Sequence, residues 1–157
     1  EYTSRVQETI ADCGLDDHVR QVGFVPEEDL PALYSLASVV AIPSFEEGFG
    51  MTAIEAMAAG TGVVGTRVGS IPQILAGDLG RVVEPGAVGQ LADGIGELLA
   101  QPPDAEALQA RADAYAWERV AESVGETYAE VAGGPGPVGS ESVERVGADH
   151  TETGATQ

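Results

Sequence analysis

The chain reads as an α/β fold, a parallel sheet with helices on both faces. Three observations predict it. Helical and strand-like patterns alternate along the chain through residue 132. The strand candidates, such as "VVAIP" (39–43) and "GVVGT" (62–66), are short continuous apolar runs, the pattern of strands buried on both faces. Each leads through a loop to a helical segment, and such alternation gives parallel neighbours.

The elements follow in order. Residues 4–13 predict a helix with Val6, Ile10 and Cys13 on one face, ended by Gly14. "HVRQVGFV" (18–25) predicts a strand entering a loop, which would make a sheet of about four strands. "PEEDLPALYSLA" (26–37) predicts a helix with Leu30, Leu33, Tyr34 and Ala37 as its stripe, its early acids favoured by the positive end of the helix dipole. The run 39–43 is the next strand, followed by a helix over 50–59 closed by Gly60. Residues 62–66 predict a strand, 71–76 a short helix and 81–84 a strand. Residues 87–100, 104–115 and 117–132 predict helices. From Gly133 the stretch "GGPGPVGSESVERVGADHTETGATQ" has no periodicity and few large apolar residues, so 133–157 is expected to be a disordered tail after a domain at 1–132. The small sheet and the start at Glu1 are read as a cut, with strands expected upstream.

Charge excludes several functions. The 157 residues carry 26 acidic and 7 basic side chains, a net charge of −19, and every basic residue is Arg. The excess is dispersed, since residues 1–132 hold 22 acids against 6 bases. Such a surface repels nucleic acid and anionic lipid. With Lys absent, it resembles the proteins of salt-loving archaea. No apolar run approaches the roughly 18 residues of a membrane span, and no basic-then-apolar leader follows Glu1. Cys13, the single cysteine, forms no internal disulfide and is expected to be a buried structural thiol. His18 and His150 have no clustered partners, so no metal site is expected.

One stretch concentrates chemistry. In "SFEEGFGMTAIEAMAAG" (44–60), Glu46, Glu47 and two glycines precede a small-residue helix that carries Glu55. A helix amino terminus offers unpaired N–H groups and a positive dipole end, both suited to phosphate. Gly48 and Gly50 let the backbone approach a ligand closely. Carboxylates accept paired hydrogen bonds, which suits vicinal diols, and a ligand with sugar, diphosphate and ribose in line is a nucleotide sugar. The same residues allow a structural reading, because Ser44 and Glu47 fit the S-x-x-E capping box.

The segment 22–75 resembles the carboxy-terminal domain of the family-4 retaining glycosyltransferases, enzymes of the GT-B fold. The resemblance covers residues 1 to 132. It rests on "PS-x-x-E-G-F-G…E-A-M-A-x-G", with Glu47 and Glu55 as the E-x7-E pair, and on "GRVVEPG" and "YAWERVAE". It implies an incomplete Rossmann-like half of a GT-B enzyme that moves a glycosyl group from a nucleoside diphosphate sugar to an acceptor hydroxyl. Glu47 would serve the donor sugar near the reacting carbon, as the catalytic residue, and Glu55 would hold the ribose diol. The donor contacts would extend to Gly48 and to the N–H groups of Phe49, Gly50 and Met51. Gly23, Phe24 and Val25 would lie near the base. No metal or cofactor is implied. The acceptor would bind a missing amino-terminal domain, and the diphosphate-clasping Arg and Lys would lie before residue 1. The location implied is cytoplasmic, with a peripheral place at the inner membrane face open to it.

Three departures stand out. Gly62 replaces a usual proline, with a small expected stability cost. Ser70 and Gln73 replace a usual glycine and glutamate in a loop that faces the donor in relatives. Arg20, Arg67 and Arg81 match no diphosphate clasp and are read as surface charges. Two alternatives stand beside the transferase: a nucleotide-sugar-binding module without catalysis, and an epimerase of the same fold.

Screening shrinks the Debye length to about 3 Å at 1 M salt, so self-repulsion should fade there. The melting temperature should rise by many degrees between about 0.1 M and about 2 M potassium chloride. A flat or falling curve contradicts adaptation to high salt.

Overall fold

A computed structural model of the chain describes residues 2–133. Three strands form one parallel sheet in the order β1 (Val40–Ile42), β2 (Val63–Thr66), β3 (Gly80–Val83). The central strand β2 is buried along its whole length, as its unbroken apolar run requires. Successive side chains of a strand point to opposite faces, and Val63 and Val64 accordingly enter two separate cores.

On the Val63 face lie α3 (Met51–Ala58), α4 (Ile71–Ile74) and α6 (Ala105–Asp113). Their Ala53, Met57, Ile71, Ile74 and Leu108 are wholly buried. On the Val64 face lies α5 (Val88–Ala100), which brings Leu98 to Val64 and Val83, with Leu91 and Ile95 at the margin. α6 starts where Asp104 accepts a hydrogen bond from the Ala107 N–H at 2.9 Å, a side-chain cap of the usual kind. α7 (Trp117–Ala132) closes the described chain and stops at Gly133, which takes a left-handed conformation with φ 61°.

The sheet is smaller than the sequence predicts. Residues 18–25 form no strand, although Val19, Val22, Phe24 and Val25 give the run a strand-like composition. Strands exist by exchanging backbone hydrogen bonds with a neighbour. Among the described residues β1 pairs only with β2, so nothing pairs with 18–25. Val22 and Phe24 stay exposed, Phe24 at 91%. The helix expected over 26–37 divides into a 3-10 turn at Glu27–Asp29 and α2 (Leu30–Leu36). Pro31 lacks the N–H for an interior helical bond and belongs in a first turn.

Cys13 is exposed, not buried. It lies beyond the end of α1 (Tyr2–Asp12), whose Val6 and Ile10 are only half-buried. Gly62 meets a neighbour in place of its own side chain: a Cβ there would stand 3.1 Å from the Pro103 ring. The expected tail, from residue 134 onward, lies outside the described residues.

Candidate donor site at the carboxyl edge of the sheet

The "PSFEEGFG" loop leaves β1 at the carboxyl edge of the sheet and enters α3. Parallel sheets bind ligands along this edge. Three contacts fix the loop. Thr66, 2% exposed, ends β2. Its hydroxyl lies 2.5 Å from the Ser44 carbonyl and 3.3 Å from that of Ile42. A hydroxyl has one hydrogen to donate, so the shorter contact is the bond. Phe49 packs edge-on against Tyr115, with centroids 6.0 Å apart. The backbone of Gly69 lies so close to the Glu47 carbonyl that a Cβ there would collide with it. Gly69 also has φ +50°, where side chains are disfavoured.

Gly50 is the N-cap of α3, with φ 84° and no side-chain capping bond. The Ser44–Glu47 pair therefore stands in the loop before the helix, and the capping-box reading fails. Two constraints call for glycine here: the positive φ, and Ile71 Cδ1, which a Cβ would meet at 2.9 Å. Among the described residues no hydrogen bond uses the N–H groups of Phe49, Gly50 or Met51. These donors stand at the positive end of the α3 dipole.

Glu47 is half-buried at the loop, and Glu55 is half-buried on α3. Glu55 accepts a hydrogen bond from the Tyr34 hydroxyl of α2 at 2.9 Å. Both residues line a cavity of about 350 Å³ between α2 and α3, together with Leu30, Pro31, Ala58 and Ala59. The Tyr34 phenol is pushed above its ordinary pKa by burial, then by the hydrogen bond and negative charge of Glu55, offset in part by the nearby Thr52 side chain. Gly23 has φ 66° in an irregular stretch, Phe24 is exposed and Val25 is half-buried. The cavity lining begins two residues past Val25, at Glu27.

The sequence reading places Tyr34 in an apolar stripe and misses its bond to Glu55, 21 residues away. One signal was available, since a partly buried tyrosine hydroxyl normally finds a partner. Arg111 was missed too: it donates to the Gln73 and Ile74 carbonyls at 2.7 and 3.2 Å and so caps α4. Arg67 and Arg81 pair with Glu84 and Glu97, each at 2.7 Å, surface pairs of small energy. Among the described residues no three His, Cys, Asp or Glu side chains gather as a metal site, and no helix is long and apolar enough to cross a membrane.

This parallel α/β lobe, with a glycine-rich loop and a helix amino terminus at its carboxyl edge, is a GT-B glycosyltransferase-like domain by its family match and its solved relatives. The chain belongs to the family described as glycosyl transferases group 1, whose model matches residues 1–115. It is similar to the MMP α-(1→4)-mannosyltransferase of Mycolicibacterium hassiacum, at 34% identity over 73% of this chain and 30% of that protein. It is also similar to the D-inositol 3-phosphate glycosyltransferase of Corynebacterium urealyticum, at 36% identity over 78% of this chain and 30% of that protein. The chain thus spans about a third of the length of these relatives. Among solved structures, sucrose-phosphate synthase from Thermosynechococcus elongatus superposes with a TM-score of 0.72 at 34% identity, covering 83% of this chain and 34% of that one. Anabaena HepE, solved in complex with UDP, superposes at 0.67 with 26% identity, covering 84% and 36%.

The Gly69 contact yields a test with an internal control. Gly77 also has positive φ, +85°, but a Cβ there meets nothing within 4 Å. Gly77→Ala should cost only conformational strain, about 1 kcal/mol. Gly69→Ala adds a backbone collision and should cost about 2–4 kcal/mol by chemical denaturation. Equal costs contradict the close approach.

Proposed function

We propose that this chain is the donor-binding, carboxy-terminal part of a family-4 retaining glycosyltransferase. The observation that carries the reading is the junction of loop and helix. Free N–H groups open α3, Glu47 stands in the loop just before them, and Glu55 follows on the same helix beside a cavity.

The parts suit a nucleoside diphosphate sugar. The N–H groups of Phe49, Gly50 and Met51 would meet the diphosphate and the adjoining sugar, where negative charge builds as the glycosyl group departs. The reacting sugar would approach an oxocarbenium ion, as glycosyl centres generally do. Glu47 would accept hydrogen bonds from its hydroxyls, and Gly48 would leave room beside them. Glu55 would hold the ribose diol, with Gly23, Phe24 and Val25 toward the base. The acceptor hydroxyl would come from a separate domain, and the sugar would keep its anomeric configuration. UDP in the related HepE and the glycosyltransferase names of the curated relatives support this reading. We place the enzyme in the cytoplasm of a salt-adapted cell, with peripheral contact at the inner membrane face as a further option.

A binding module without catalysis is the second reading, favoured by Gln73 standing exposed where family members usually carry glutamate. Two variants of the protein that carries this chain separate the readings. Hydrogen bonds to charged groups contribute roughly 1.5–3 kcal/mol. Glu55→Ala should weaken donor and free nucleoside diphosphate alike, by about ten- to a hundredfold. Glu47→Ala should leave free nucleoside diphosphate affinity nearly unchanged and cut turnover far more. Equal effects on nucleoside diphosphate affinity contradict the division of roles. Absence of transfer in the unaltered protein, with binding intact, favours the module.

A further inference from the structure

Tyr34 is held at both ends. Its carbonyl accepts a hydrogen bond from the Thr61 hydroxyl at 2.8 Å, and Thr61 is buried, 5% exposed. Its hydroxyl donates to Glu55 Oε2 at 2.9 Å. The ring packs against the core shared by α3 and α6. The phenol is therefore a donor fixed in space, between a buried anchor and a carboxylate at a cavity wall.

A free glutamate side chain turns its carboxylate plane easily, because its last torsion is broad. One directional bond to Oε2 removes that freedom. An ionised carboxylate offers about four lone-pair sites, so Oε1 and the second lone pair of Oε2 stay available. They lie side by side, and a vicinal diol presents two hydroxyls side by side. Without the phenol, Glu55 would need to be ordered by the ligand itself, at a cost in side-chain entropy. The raised phenol pKa keeps the proton on Tyr34, and hence the bond, through neutral and mildly alkaline pH.

We propose that Tyr34 is a positioning residue that sets the plane of the Glu55 carboxylate and so makes the site select ribose over 2′-deoxyribose. The inference rests on the donor reading of Glu55. The cavity beside the pair is walled mainly by Leu30, Pro31, Ala58 and Ala59, with Glu27 and Ser35 as its other polar lining residues. Loss of the 2′-hydroxyl then leaves Glu55 half-satisfied, the situation in which a polar site discriminates most strongly.

The test uses the protein that carries this chain, titrated calorimetrically with uridine, guanosine and adenosine diphosphates. The one bound most tightly is compared with its 2′-deoxy form. The unaltered protein should prefer the ribose form by about tenfold or more. Tyr34→Phe removes one oxygen and should reduce that preference to about threefold or less, chiefly by weakening the ribose form. In a Glu55→Gln background the same change should have little further effect on the preference, since the pair acts as one unit. A Tyr34→Phe protein that weakens ribose and 2′-deoxyribose forms equally overturns the inference and leaves Glu55 as the ribose ligand. So does one that keeps full discrimination. An unaltered protein that binds both forms equally, or binds none of the three nucleotides, overturns the donor reading and the inference with it.

Discussion

The approach of Gly69 to the Glu47 carbonyl ties the two loops at the carboxyl edge of the sheet into one body. No side chain fits between them. The loop after β2 therefore fixes the position of the loop after β1, and with it the backbone that precedes α3. Thr66 reinforces the tie from within β2 by bonding to the Ser44 carbonyl. Gly50 then lets α3 begin directly over Ile71 and Ile74 of α4. Each of these contacts involves backbone or buried atoms, which have discrete arrangements and little freedom to drift. The free N–H groups at the start of α3 are thus held in place by the fold itself, which on the proposed donor reading is the condition for electrostatic preorganisation.

Much of this was legible in the residues. The unbroken apolar runs of β1 and β2 and the helical period of α5 set the layers. The E-x7-E spacing put Glu47 and Glu55 at one loop and helix. What escaped the sequence depended on partners distant in the chain. Residues 18–25 have the composition of a strand, but strand formation depends on a neighbour as well as on propensity. Cys13 follows an apolar spacing yet lies past the last turn of α1. The Ser44–Glu47 pattern mimics a capping box, and only the backbone at Gly50 shows where the helix starts. Tyr34 counts as apolar in a periodicity count, which hides its hydroxyl.

Charge and fold pull in different directions in this protein. Acids outnumber bases by 26 to 7, and two arginines serve surface pairs, with Glu84 just past β3 and with Glu97 on α5. Arg111 is spent on carbonyls at the end of α4. On the proposed donor reading, the backbone dipoles at the start of α3 would supply positive potential for an anionic ligand in this lobe. The same reading would give the glycines of the loop a second role, exposing N–H groups that a bulkier loop would cover.

A crystal structure of the protein with a bound nucleoside diphosphate tests the central claim most directly. The account predicts diphosphate oxygens within hydrogen-bond distance of the Gly50 and Met51 N–H groups, with the ribose hydroxyls on Glu55. A nucleotide bound elsewhere, such as the cleft between Phe45, Val83 and Leu91, with the start of α3 untouched, would contradict it.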